Sequence, residues 1–319
     1  MTKIPVSVAI ITKNEALNLP NCLKSVTFAA QIVVVDSGST DETIRIARDW
    51  GCDVYEEPWR GGFGAQKQFA IERCREPWIL VLDADERIPE ETAVAISRVA
   101  VTDEEAVSLL CYNSVNHVRA CSGKARGGIK GGDGQGPQFL MLQSSSSQAG
   151  GDHDLGESPE IKASILPTGY SFPRKNFFQG RWIRHAGWWP DRLIRLFRRG
   201  YGRMSPAAVH EGLEVTGTVV SLDCPIEHYT ESDLGKILAK IDRYSTLGAR
   251  EAYAAGRRAT VAGAVFRAGL TFFQGYFLRR GFLDGSPGLT LAVTDAVNKF
   301  FKYAKLSELG SYERHGGMV

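Results

Sequence analysis

Cysteine is scarce in this sequence: six in 319 residues (Cys22, Cys52, Cys74, Cys111, Cys121 and Cys224), with no Cys-x-x-Cys pair. That excludes a disulfide-stapled scaffold and a zinc ribbon, and it fits a reducing compartment. The 34 glycines follow no collagen period, so a fibrous class is excluded too. A charged leader ahead of a long apolar core is also missing. The apolar stretch Ile4 to Ile11 is strand-length, β-branched and runs directly towards Lys13-Asn14-Glu15, so no signal peptide is expected. The one membrane-length candidate, residues 259–278, contains Arg267, Gln274 and several glycines. A central Arg costs about 2.5–3.5 kcal/mol on an insertion scale, which disfavours a spanning helix. Two phosphate-binding fingerprints are absent as well. There is no Gly-x-Gly-x-x-Gly after a strand, and Gly61-Gly62-Phe63-Gly64 lacks the Lys-Ser/Thr pair of a Walker loop.

What is present is globular. With 43% hydrophobic and 23% charged residues, the chain can bury a sizeable core, and its length suggests about two domains. Charge is unevenly distributed. Residues 1–170 carry 16 basic and 23 acidic groups, a net of −7, whereas residues 171–319 carry 22 and 13, a net of +9. The second half therefore prefers an anionic neighbour: a nucleic acid, a phosphorylated substrate or a membrane face.

Along the chain, Val6 to Thr12 reads as a strand, Ala16 to Val26 as a helix, and Ile32 to Val35 as a fully apolar strand ending at Asp36. A helix is expected from Asp41, with Thr40 as its N-cap and Ile44 and Ala47 facing inward. A short strand at Cys52 to Tyr55, a helix near Gly64 to Cys74 and the strand Trp78 to Leu82 follow. Strands apolar on both faces and alternating with helices indicate an α/β fold with a mostly parallel central sheet. Ligands of such sheets sit at the carboxyl ends of the strands, where Thr12, Asp36 and Asp83 fall. From about Ala106 to Leu166 the texture turns Gly/Ser-rich with little periodicity, which favours a disordered insert. From Ser232 the pattern is helical, with Leu234, Ile237, Leu238 and Ile241 on one stripe.

Asp83-Ala84-Asp85 is the sharpest feature. Two carboxylates one residue apart at the end of a buried strand can face the same way and hold a hard cation, which can bridge a diphosphate. The plain alternative is a solvated turn capping the helix at Pro89-Glu90-Glu91. In Val35-Asp36-Ser37-Gly38-Ser39-Thr40-Asp41, a strand-end Asp can accept from ribose hydroxyls or a base, and Gly38 permits a tight turn; a well-capped βα loop is the competing reading.

Together with Thr12-Lys13-Asn14-Glu15, these features resemble the nucleotide-sugar half of family 2 glycosyltransferases with a GT-A fold. Gly62-Phe63-Gly64-Ala65-Gln66-Lys67, Leu82 to Glu86, Tyr170 to Asn176, Trp188-Trp189-Pro190-Asp191, Arg195 to Arg199, Val209-His210-Glu211 and Phe277 to Gly285 further resemble lipopolysaccharide-core β-1,4-glucosyltransferases. Two departures stand out: Gln68 replaces the usual Asn after Gln-Lys, and about sixty residues intervene before Tyr170 where relatives have a short link.

The resemblance implies a hexosyltransferase that moves glucose from UDP-glucose to a hydroxyl of a lipopolysaccharide inner-core sugar, working with Mg²⁺ or Mn²⁺. It would place Thr12, Asn14, Glu15, Asp36, Lys67 and Asp83 around the nucleotide sugar and Asp85 with Asp83 at the cation. Inverting transfer needs a carboxylate that takes the acceptor's proton; Glu211 is the first candidate and Asp191 the second. Trp188, Arg195 and His210 would meet the acceptor, a phosphorylated glycolipid suited to the Arg- and aromatic-rich stretch 172–203. The basic, aromatic C-terminal helices suit an anionic membrane surface, or packing within the protein. The expected layout is a nucleotide-sugar half (1–105), an insert (106–166), an acceptor half (167–231) and a helical region (232–319), in a cytoplasmic enzyme peripheral on the inner membrane face. The rivals are a family 2 enzyme with another acceptor (polyprenyl phosphate or a peptide), a catalytically dead scaffold, and a basic nucleic-acid-binding protein. The last is disfavoured, because such a module does not need Asp36 and Asp83 gathered at one rim.

Overall fold

A computed structural model describes residues 3–101, 166–205, 212–230 and 233–314. The insert expected at 106–166 and the Val209-His210-Glu211 block fall almost wholly outside these residues.

The β-branched run Ile4–Thr12 forms β1, with Val6, Val8 and Ile10 fully buried. It lies between two parallel neighbours, β2 (Ala29–Asp36) and β4 (Trp78–Asp83), and β3 (Asp53–Glu56) extends the sheet beyond β2, also in parallel. Because β1 is central, both of its faces need cover, which explains its continuous rather than alternating hydrophobicity. Helices α1 (Leu19–Ser25), α2 (Thr43–Asp49) and α3 (Phe63–Ile71) connect these strands, followed by the two-residue strand β5 (Glu86–Arg87) and α4 (Glu90–Val101).

The second stretch completes the sheet from the other side. Strand β6 (Gly169–Phe178) carries β7 (Arg181–Trp182) and pairs antiparallel with β8 (Asp191–Arg198), which in turn lies antiparallel against β4. A separate ribbon joins β9 (Gly202–Met204) to β10 (Leu213–Val215); β11 (Val219–Ser221) and β12 (Ile226–Tyr229) add parallel to β6. Strand β12 then closes antiparallel on β5, giving the path β3-β2-β1-β4-β8-β6-β12-β5. This topology brings two segments more than a hundred residues apart into one register, with His228 opposite both Asn176 and Glu86.

Three helices follow: α5 (Leu234–Ala254), α6 (Val261–Phe273) and α7 (Gly285–Arg314). A π-helical turn, Gln274–Leu278, and a 3₁₀ turn, Gly281–Asp284, separate α6 from α7. The α5 stripe differs from expectation: Leu234 and Leu238 are exposed, and the buried positions are Ile241, Ser245, Ala249 and Ala252. Small side chains dominate there because α7 lies close, with Leu306 buried against Ala249 and Ala252. The N-cap expected of Thr40 also moves. It falls at Glu42, which makes no capping side-chain bond, while Asp41 Oδ1 just ahead of it accepts from the Thr43 backbone at 3.0 Å.

Candidate active site

Register sets the rim. Thr12 pairs with Asp36 and Ile11 with Asp83, so the carboxyl ends of β1, β2 and β4 finish level. Asp36 is 1% exposed, and both of its oxygens are engaged by its own loop. Its Oδ1 accepts from the amides of Gly38 and Ser39 at 2.9 and 2.7 Å, and its Oδ2 accepts from the hydroxyls of Thr12 and Ser39 at 3.0 and 2.5 Å. Gly38 takes φ +92°, which a Cβ would disfavour. Asp36 therefore shapes the loop that a ligand would touch. Asn14 and Glu15 stitch that loop to the one after β1. Asn14, at φ +56°, accepts from the Thr40 amide at 2.8 Å and donates its own amide to Ser39 Oγ at 2.7 Å, while the Glu15 amide donates to Thr43 Oγ1 at 2.8 Å.

Asp83 stands at the end of β4 between two cations. Lys67 Nζ, brought over by α3, is 2.6 Å from Oδ1, and Arg195 donates to Oδ2 at 3.0 Å. Burial opposes the charge on Asp83, but the ammonium of Lys67 and the guanidinium of Arg195 outweigh it and hold the carboxyl far below the ordinary range. Arg195, expected at the acceptor, instead lies beneath Asp83 with its side chain 9% exposed. It also donates at 2.5 Å to Glu86, whose side chain is fully buried and whose second oxygen accepts from the Asp83 amide at 3.1 Å. Burial alone would lower the Arg195 pKa; Glu86 and Asp83 reverse that and raise it. Since the folded-state pKa of Asp83 is depressed, its stabilisation is fully present above the ordinary value of 3.8 and fades as pH falls from there towards the lowered value. Urea midpoints measured at pH 7 and pH 3 should accordingly fall less steeply in Asp83→Asn than in wild type, because the variant has already lost this contribution at pH 7.

Asp85 faces the other way. Its Oδ2 lies 3.2 Å from His228 Nε2, and its carbonyl accepts from the Tyr229 amide at 2.9 Å, fixing the turn to β12. His228 Nδ1 is 2.6 Å from Asn176 Oδ1, and Asn176 Nδ2 donates to the Trp188 carbonyl at 3.2 Å. With its Nδ2 committed as donor, Asn176 presents its oxygen to His228, so Nδ1 carries a proton. Nε2 is then the ring nitrogen that faces the Asp85 carboxylate, a pair that either a proton or a cation must bridge. A donor set of one imidazole nitrogen and carboxylate oxygen, with the tautomer fixed from behind, suits a divalent ion completed by phosphate oxygens. Among the described residues no group of three or more His, Cys, Asp or Glu is gathered to hold a metal by itself. Asp83, the other expected ligand, is already neutralised by Lys67 and Arg195.

The acceptor-side residues are divided. Trp188 packs edge-on to Phe178 at 6.3 Å and connects through Asn176 to His228. Asp191 Oδ2 takes two hydrogen bonds from Arg174, at 3.0 and 2.7 Å. Glu211 and His210 lie outside the described residues. Gln68, the departure from the family pattern, accepts from the Met204 amide at 3.0 Å and so braces the β9 ribbon. Several arginines of the 172–203 stretch are engaged internally: Arg174 with Asp191 and Glu86, Arg192 with Asp223, Arg203 with Glu214. That supports structural pairing there over a continuous basic face. His228, Asn176 and Glu86 were absent from the expected site. The available signal for His228 was a lone His within the short run Ile226-Glu227-His228-Tyr229, which only the β12–β5 pairing turns into a site residue.

Residues 7–117 match the family model described as Glycosyl transferase family 2. Over nearly its whole length the chain is similar to a lipopolysaccharide core biosynthesis glycosyltransferase, LpsC, of Rhizobium meliloti (strain 1021), with 29% identity over 320 residues covering 98% of this chain and 94% of that protein. An uncharacterized glycosyltransferase, RP128, of Rickettsia prowazekii (strain Madrid E) is 24% identical over 95% of this chain and 87% of its own length. Among solved structures, S. aureus TarS 1-349 in complex with UDP overlaps 30% of this chain and 32% of its own, at 25% identity and a TM-score of 0.25.

Proposed function

We propose, from residues 7–117 being a family 2 glycosyl transferase domain, that the chain transfers a hexose from a nucleotide sugar, with inversion, to a hydroxyl of a lipopolysaccharide inner-core sugar. The strand order β3-β2-β1-β4 with antiparallel β8 beside it fits the expected GT-A fold. The observation that carries the reading is the meeting of the Asp83-Ala84-Asp85 turn with His228 and Lys67 at the rim where β1, β2 and β4 end. Glucose from UDP-glucose and the core acceptor rest on the resemblance and on the similarity to LpsC.

In this reading the rim loops around Thr12, Asn14, Glu15 and Asp36 receive the nucleoside, and Lys67 and Asp83 flank the diphosphate and donor sugar. A divalent cation, Mg²⁺ or Mn²⁺, would be held by Asp85 with His228 and neutralise charge on the departing diphosphate. A carboxylate takes the proton from the acceptor hydroxyl. The oxygen then bonds to the anomeric carbon from the face opposite the diphosphate, and the carbon–oxygen bond to the diphosphate breaks with its electron pair leaving on UDP. Glu211 is the base we favour, because Asp191 is held by Arg174. The acceptor lies against Trp188 and is a phosphorylated glycolipid, which places the enzyme at the inner face of the cytoplasmic membrane.

A donor screen with labelled nucleotide sugars and core oligosaccharide, with Mn²⁺ and with EDTA, tests the reading. Glu211→Gln should lower kcat by about 10²–10⁴-fold, with Asp191→Asn affecting mainly acceptor KM. Loss confined to Asp191→Asn moves the base to Asp191. No turnover of any nucleotide sugar by wild type sinks the proposal.

A further inference from the structure

Among the described residues, the C-terminal helices leave one large apolar face uncovered. Along α6 only Ala264 is buried, while Phe266, Leu270, Phe273, Phe277, Leu278 and Phe282 project outward through α6 and the two turns after it. Phe266 is 71% and Leu278 65% exposed, well beyond the isolated surface hydrophobe that needs no explanation. Charge over the same stretch has one sign. Residues 252–283 contain five arginines (257, 258, 267, 279 and 280) and not one Asp or Glu. No helix among the described residues is long and apolar enough to cross a membrane.

We propose that this face inserts in the plane of an anionic phospholipid bilayer, with the phenylalanines and leucines at the acyl boundary and the arginines among the headgroups. An apolar face flanked by cations, on a helix too short and polar to span, is the composition of an interfacial anchor. The charge pattern argues against the other obvious occupant, a second copy of this chain: a two-fold contact would bring together two surfaces of the same positive sign. The face is also fixed to the rest of the molecule. Asp284, 2% exposed, accepts from the amides of Arg184 and His185 at 3.3 and 2.9 Å and meets His185 Nδ1 at 3.0 Å, and the Arg279 carbonyl accepts from the Ala186 amide at 2.9 Å. Three consecutive amides just before Trp188 are thus held by the segment that carries the apolar face, so the bilayer plane has a set position relative to that wall of the site.

The inference deepens the membrane-surface reading above, but it is read out without turnover, so its failure leaves sugar transfer standing. Full-length protein is sedimented with vesicles of phosphatidylglycerol and phosphatidylcholine, and with phosphatidylcholine alone, at low and high salt. Wild type should bind the anionic vesicles, more weakly in high salt. Phe266→Ser combined with Leu278→Ser should weaken binding at least about tenfold, with circular dichroism unchanged because both side chains are exposed. Should that pair misfold, Arg280→Glu, also exposed, should still weaken anionic-vesicle binding by about tenfold and flatten the salt dependence. Wild type remaining in the supernatant overturns the proposal, as does a folded serine double variant that binds like wild type. So does a wild-type dimer in solution that the double variant dissolves, which would assign the face to self-association.

Discussion

Asp85→Asn should reduce turnover of the nucleotide sugar by about 10³-fold, with an unchanged melting temperature. The size follows from what the carboxylate does. In the proposed reaction negative charge builds on a leaving diphosphate, and removing a preorganised electrostatic partner at such a position costs about 10²–10³-fold or more. Stability is spared because Asp85 is partly exposed and its side chain has one close partner among the described residues, His228 at 3.2 Å, while its backbone bond to Tyr229 survives the change. Adding Mn²⁺ should raise the residual rate only at concentrations far above those that saturate wild type. His228→Ala should show the same weakened metal response, and Asn176→Ala a milder version of it, because Asn176 orients the imidazole and would not itself be a ligand. Initial rates across a Mn²⁺ titration, together with calorimetry of UDP binding, check all three. A full rate in Asp85→Asn would show that the cation, if one is used, sits elsewhere.

Arg195→Met is expected to act through stability first. It leaves Glu86, fully buried, and Asp83 without the guanidinium that both face at 2.5 and 3.0 Å. Removing one partner of a buried ion pair costs about 3–5 kcal/mol, which for a protein of this size lowers the melting temperature by roughly 10 °C. Arg174, 3.6 Å from Glu86, is too distant to replace the lost hydrogen bond. Joint replacement, Arg195→Met with Glu86→Leu, removes donor and acceptor together and should recover much of the loss. Differential scanning calorimetry of the single and double variants separates this from a direct effect on transfer; equal melting temperatures for wild type and Arg195→Met would refute the assignment.

How much of this was legible beforehand depends on the range of the interaction. β1, β2 and β4 announce themselves because a central parallel strand must be apolar on both faces, and Thr12, Asp36 and Asp83 follow as their last residues. What each side chain does there was not legible. Asp36 looks like a ligand in sequence, yet the amides of Gly38 and Ser39 lie close enough in its own turn to engage it. Arg195 sits in a stretch whose composition suggests phosphate binding, but the pairing of β8 with β4 turns it towards Asp83 and Glu86. His228 becomes a site residue only through a strand pairing that spans some 140 positions, and no periodicity reports such a contact. The α5 stripe erred for a related reason: periodicity identifies a face, whereas the approach of α7 determines which part of that face is covered.

The amides at 184–186 have a practical corollary. Their acceptors come from residues 279 and 284, so a shortened version ending ahead of that point would strand three hydrogen-bond donors next to the tryptophan pair. Trimming the tail to improve solubility would thus reach into the half of the enzyme expected to hold the acceptor, and any such truncation is better made beyond α7.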